Sequence, residues 1–199
     1  MLDAPLIPPA AVLFDMDGTL TEPLLDFPRI KADMGIGNRP ILEALADMDP
    51  ARRQSVEAIL QRHEEQAAAR STLNPGCHEL LDLLARRNIL TAIITRNSRS
   101  STRTVIERHR LKIEVIVTRD DAPPKPSPKP LQLACARLRV QESHAWMVGD
   151  GQYDMEAGAA ANIRTVWLSH GRQRAFDAIP WRQVRDLWEL ARLVDDVNA

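Results

Sequence analysis

Ala10-Ala11-Val12-Leu13-Phe14-Asp15-Met16-Asp17-Gly18-Thr19-Leu20 is the stretch on which the fold turns. The run from Ala10 to Phe14 is short, apolar and rich in strand formers, as in strands buried on both faces of a parallel sheet. Gly18 breaks it. In extended chain residues i and i+2 share a face, so Asp15 and Asp17 leave the strand's carboxyl end toward one pocket. Carboxylates that close repel, and a bound cation or a shared proton relieves them. A hard cation with oxygen ligands, Mg²⁺ above all, suits two Asp better than zinc does. The plainer alternative is an Asx-rich turn out of the strand, for which Asp-Gly is an ordinary dipeptide.

Three further stretches follow in order. Ile89-Leu90-Thr91-Ala92-Ile93-Ile94-Thr95 is an apolar run ending in a hydroxyl that can bond a phosphoryl oxygen, and Arg96-Asn97-Ser98 comes next. Thr also commonly ends strands, and Ser98 can cap the following helix. Asp121-Ala-Pro-Pro-Lys125-Pro-Ser-Pro-Lys129-Pro holds two lysines among stiff prolines, where an ammonium can neutralise a nucleophile and a phosphoryl group with little ordering cost. Lys129 falls in the first turn of the next helix, and a solvated proline-rich linker is the competing reading of the run. Ala145-Trp146-Met147-Val148-Gly149-Asp150 ends in an acid, with Asp154 one helical turn beyond. Alternatively, Asp150 caps a helix over Met155 to Ala161.

The motif Asp15-Met16-Asp17-Gly18-Thr19-Leu20 resembles the first motif of the haloacid dehalogenase-like phosphohydrolases, and Thr95, Lys125 in Lys-Pro-Ser-Pro, and Asp150 with Asp154 resemble the three that follow it. The resemblance covers roughly residues 10 to 171. It implies an α/β fold, a doubly wound Rossmann-like parallel sheet with a small α-helical cap inserted. It also implies an Mg²⁺-dependent phosphatase in which Asp15 attacks phosphorus and forms an aspartyl phosphate, while Asp17 acts as general acid and base. Asp15, Thr95, Arg96, Asn97 and Lys125 would hold the phosphoryl group. Mg²⁺ would be bound by Asp15, Asp150 and the backbone carbonyl of Asp17, and Asp154 would orient its neighbours rather than bind metal.

The remaining sequence agrees. Apolar runs near 10–15, 89–95, 113–117, 145–149 and 163–168 alternate with amphipathic helical patterns, among them Cys77 to Arg87, with Leu80, Leu81, Leu83 and Leu84 in its stripe, and Ser100 to His109. Alternation implies a parallel sheet covered on both faces, with its site at the strands' carboxyl ends. Residues 22–74 do not alternate. Phe27 to Met34, Pro40 to Met48 and Ala51 to Arg70 read as helices, so the expected organisation is a core of 1–21 and 75–199 with a cap of 22–74. Arg29 and Arg39 are the cap's better substrate contacts, and His63 reads as a solvated helix residue. Ile179 to Val194 has helical spacing, with Trp181 and Trp188 for packing or subunit contacts and His170-Gly171 as a turn at the rim.

The chain has 199 residues, a net charge of -1 and two cysteines, Cys77 and Cys135, in apolar helical settings. That length suits one domain with an insertion. The charge offers no field for nucleic acid or an anionic membrane, and two lone thiols point to a reducing cytoplasm. The N-terminal segment Met1 to Pro9 lacks the basic start and long apolar stretch of a targeting signal. The expected partner is a small phosphorylated metabolite, first a phosphoglycolate-like ester or sugar phosphate and then a nucleoside monophosphate, with a monomer or homodimer both open. A dehalogenase would not need Asp17; a phosphomutase would differ in the cap; a non-catalytic binding module would have lost a motif residue, and none is lost.

Overall fold

The computed structural model describes residues 8–197. Residues 1–7 and 198–199 lie outside the described residues, and with them most of the segment read above for targeting. Strand β1 (Ala11–Phe14) is wholly buried. It lies between β2 (Leu90–Ile94) and β4 (Ala145–Gly149), both parallel to it, with Phe14 beside Ile93 on one side and Val148 on the other. With β3 (Val115–Val117), β5 (Arg164–Leu168) and β6 (Arg182–Val184) the six parallel strands run in the order β3-β2-β1-β4-β5-β6. The chain builds outward from β1 to β3, then crosses back to β4 on β1's other side. That reversal opens a crevice at the carboxyl ends of β1 and β4, where such sheets bind ligands.

The period-2 alternation of β1 divides the core. Val12 and Phe14 face a cluster with Leu80 and Leu84 of α4 (Cys77–Arg86), Val105 of α5 (Arg99–His109) and Leu187 and Leu190 of α8 (Leu187–Val197). Ala11 and Leu13 face the other way, toward Leu131 and Ala134 of α6 (Lys129–Leu138) and Ala157 of α7 (Gln152–Ala160). Both faces of the sheet are covered, as its apolar strands require. Cys77 and Cys135 are buried and unpaired, and burial raises their thiols to about 12 and about 11.

Between β1 and α4 the chain forms α1 (Phe27–Met34), α2 (Ile41–Ala46) and α3 (Pro50–Arg70). Asp26 and Asp49 cap α1 and α3 by accepting the Arg29 and Arg52 N–H groups, and proline follows each cap within the first two helical positions. Ile30, Met34, Ile41, Leu45, Val56 and Leu60 make a separate apolar cluster there. Where this segment leaves and rejoins the sheet its two ends run side by side: Glu22 N–H donates to Thr72 O at 3.0 Å, and Asn74 N–H to Leu20 O at 2.9 Å.

One element differs from the reading of the sequence. Ile179 to Val194 is not helical throughout, because Arg182–Val184 forms the edge strand β6 against β5 and the helix begins at Leu187. Val184 and Leu187, three residues apart, are both buried, and that spacing fits a helical stripe equally well. Trp181 packs against Trp146, ring centroids 5.1 Å apart, whereas Trp188 is half exposed over Gly76. Among the described residues no helix is long and apolar enough to cross a membrane.

Candidate active site

Asp15 leaves the end of β1 with its N–H bonded to Val148 O at 2.9 Å, which ties it to β4. Lys125, in the proline-rich loop before α6, reaches into the same crevice with only 2 % of its side chain exposed. Its ammonium donates to Asp15 Oδ1 at 2.7 Å, Asp154 Oδ1 at 2.6 Å and Ile94 O at 2.7 Å. All three of its protons are thereby used. Burial works against the lysine's charge, but the two carboxylates hold its pKa above the ordinary value. Burial also raises the Asp15 carboxyl to about 7, with Asp154 and Asp150 adding repulsion that Lys125 opposes. Such a cluster of perturbed groups is characteristic of functional sites.

Asp150, at the exit of β4, does not cap the next helix: Gly151 is the N-cap of α7, so the Asp150 carboxylate is left to the crevice. Asp154, in the first turn of α7, turns back to accept the Gly151 N–H at 3.0 Å through Oδ2. Only glycine fits at 149, since a Cβ there would lie 2.2 Å from the Asp154 carboxyl carbon. Gly18 has φ of +82°, and a Cβ on it would sit 2.8 Å from Asp150 Oδ2, so the backbone after Asp17 presses against that carboxylate. One oxygen each from Asp15, Asp150 and Asp154 lies within 4.8 Å of the others. An all-oxygen acidic set at the ends of β1 and β4 and in the first turn of α7 fits Mg²⁺.

Asp17 stands apart from this trio. Its Oδ1 accepts a long bond from Leu24 N–H at 3.4 Å, and burial raises its carboxyl to about 6, with Asp150 and Glu64 adding to the rise. Thr95 follows β2; its hydroxyl oxygen accepts the Asn97 N–H at 3.1 Å, which leaves the hydroxyl proton to donate. Ser98 caps α5 and accepts the Ser101 N–H. The Arg96 guanidinium donates to the carbonyl of Lys125, lies 4.3 Å over the Tyr153 ring, and places one nitrogen 3.0 and 2.9 Å from the two Glu43 oxygens of α2.

Other neighbours of the site lie outside its four motifs. Arg172, past β5, forms a 2.9 Å ion pair with Asp150, and His170 Nε2 donates to Gly18 O at 2.7 Å, turning the expected rim turn into a brace on the motif loop. Glu64 on α3 is buried, pairs with Arg119 after β3 and accepts the Ser98 N–H at 3.1 Å. It was discoverable: Val56, Leu60, Glu64 and Ala68 form a buried i,i+4 row, with Glu64 in an apolar slot. Arg29 and Arg39, singled out above, pair with Asp33 and Asp47 inside the helical segment. His63 Nε2 lies 2.9 Å from Asp33 Oδ2, a link between α3 and α1.

The model of the haloacid dehalogenase-like hydrolase family matches residues 28–168. The chain is 30% identical to an N-acetylmuramic acid 6-phosphate phosphatase of Pseudomonas putida over 81% of its length and 83% of the relative's. It is also 30% identical to a phosphoglycolate phosphatase of Chromobacterium violaceum, covering 81% and 85%. A solved hydrolase from Pseudomonas syringae shares the fold with a TM-score of 0.80 at 21% identity, covering 94% of this chain and 98% of that one. With acids at the switch point of a doubly wound sheet, a buried lysine between them, and these relatives, the chain belongs to the haloacid dehalogenase-like hydrolases and is a phosphatase of that family.

Proposed function

We propose that this phosphatase hydrolyses small soluble phosphomonoesters, phosphoglycolate-like or sugar phosphates, through a covalent phosphoaspartate on Asp15, and that it needs Mg²⁺. The observation that carries the reading is the Lys125 ammonium, 2.7 Å from Asp15 Oδ1 beside the Asp150 and Asp154 carboxylates. An aspartate so held is aimed, and the ammonium beside it favours the carboxylate form that a nucleophile needs. Asp15 Oδ attacks phosphorus in line while the ester oxygen departs with a proton from Asp17. Asp17 then takes a proton from the water that hydrolyses the acyl phosphate, a role suited by a carboxyl raised to about 6. The Thr95 hydroxyl donates to a phosphoryl oxygen, the Lys125 ammonium offsets the charge of the phosphoryl group from beside Asp15, and Asp154 fixes Lys125. Asp15, Asp150 and the Asp17 carbonyl would hold Mg²⁺, which supplies charge neutralisation on the phosphoryl oxygens when bound.

Residues 22–74 act in this reading as a cap that selects the leaving group and keeps bulk water from the intermediate. Two buried, unpaired thiols accord with action in the cytoplasm. The deciding experiment is phosphate release from a panel of small phosphoesters, with and without Mg²⁺, for the wild type beside Asp15→Asn. Metal-dependent release lost by at least a thousandfold in the variant is expected; release that survives in Asp15→Asn would overturn the covalent mechanism.

A further inference from the structure

Arg96 follows Thr95 directly, yet its side chain does not point at the Asp15 cluster. Its guanidinium is bracketed by the Lys125 carbonyl and the face of Tyr153, the residue before Asp154. Segments adjoining three site residues therefore converge on it, at the rim of the crevice. Across that rim stands Glu43. The other side of α2 is fixed by burial of Ile41, Ala44 and Leu45. Glu43 therefore faces the core and binds Arg96 through both oxygens, at 3.0 and 2.9 Å. Arg96 is 20 % exposed and Glu43 43 %, so the pair is accessible to a molecule in the crevice.

Its neighbours are similarly matched. Lys125 holds Asp15 and Asp154, Arg172 holds Asp150, and Arg119 holds Glu64, so each of these cations already has a carboxylate. A substrate arriving with a second anionic group meets a rim whose positive charge is already engaged. It must displace Glu43 from a guanidinium that two other contacts hold in place, or accept like charge beside it, and such juxtaposition is strongly disfavoured. A leaving group bearing neutral hydroxyls meets the opposite situation. The remaining lone pairs of Glu43 accept from hydroxyls, and the remaining N–H groups of Arg96 donate to them, with the ion pair kept intact.

We propose that the Glu43–Arg96 pair is the specificity-determining element of this phosphatase, favouring phosphomonoesters with a neutral polyhydroxylated leaving group and rejecting those that carry a carboxylate. This rests on the phosphomonoesterase reading and narrows it toward sugar and polyol phosphates.

Matched esters test it. Glycerol 3-phosphate and 3-phosphoglycerate differ by a hydroxymethyl against a carboxylate, as do sorbitol 6-phosphate and 6-phosphogluconate. The wild type, with Mg²⁺, is expected to favour the neutral member of a pair by at least tenfold in kcat/KM. Glu43→Gln removes the repulsion and frees Arg96, so the ratio should narrow at least tenfold through a gain on the carboxylated ester. Glu43→Gln with Arg96→Gln should lose that gain. A merely structural role would lower both substrates together and leave the ratio fixed. p-Nitrophenyl phosphate, which has neither hydroxyls nor carboxylate, separates the two levels of inference. If the wild type cleaves it yet prefers the carboxylated esters, or if Glu43→Gln leaves the ratio unchanged, the specificity proposal fails and the phosphatase reading stands. If no ester is cleaved, both fail.

Discussion

Among the described residues two ion pairs cross from the helical segment to the core, and their surroundings give them different work. Glu64–Arg119 is nearly dry, with side chains 2 % and 9 % exposed, and Glu64 also receives the Ser98 N–H at the start of α5. Glu43–Arg96 is wet on one side and half open on the other. A buried pair is costly to make and far costlier to half-remove, whereas an exposed one contributes little to stability. The first therefore anchors α3 to the loops after β2 and β3, and the second is available to a ligand. Anchor and reader are separated by dielectric rather than by chemistry, since both are Glu–Arg.

The sharpest way to break this comparison is Glu64→Gln. It strands Arg119, whose Nε already lacks a partner, in a buried site. A loss of about 3–5 kcal/mol is expected, seen as a fall of roughly 6–20 °C in Tm. Replacing both partners with apolar residues, Glu64→Leu with Arg119→Met, should recover much of it. A loss no larger than that of Glu43→Gln would erase the distinction.

A smaller effect tests the loop that carries Arg119. Asp121 accepts from the Thr118 N–H and hydroxyl and pairs with Arg99 and Arg137. Burial opposes its ionisation, but these donors outweigh it and hold the carboxyl well below the usual range. A depressed carboxyl stabilises the fold above its unfolded pKa of about 4, and that contribution fades as pH falls through the lower folded value. Asp121→Asn should cost about 1–3 kcal/mol at pH 7, and its gap from the wild type in urea midpoint should close below about pH 4. A gap constant with pH would assign the loss to packing alone.

The smallest expected change is the stability of Glu43→Gln, under about 1 kcal/mol or roughly 3 °C in Tm. Measured beside its substrate selectivity, this separates reading from holding. A larger destabilisation would make Glu43 a second anchor.

What the sequence revealed and what it hid divide along the same physical line. Features set by neighbours in the chain were legible: the buried run of β1, the Ser98 cap, the entry of Lys129 into α6 and the acids at two strand ends. The positions of Asp15, Lys125, Asp150 and Asp154 in one crevice follow from strand order once alternation is recognised. Features made by distant partners were not legible. Arg182–Val184 is a strand only because β5 lies beside it, and Arg96 carries its phosphate-site neighbour's address while spending its charge on Glu43. Arg172 offers no motif at all; its role at Asp150 exists only after β5 has been laid against β4.

The central place of β1 has a last consequence. Its backbone is hydrogen-bonded into strands on both sides and its residues are wholly buried, so its amides should be among the slowest in the molecule to exchange with deuterium, opening only when the whole sheet opens. In the mechanism proposed above, the nucleophile Asp15 is attached to that stationary strand, and the proposed leaving-group contact Glu43 to a short helix on a separate small core. Turnover can then ask for motion from α2 without disturbing the aim of Asp15, and thermal inactivation should track global unfolding rather than precede it.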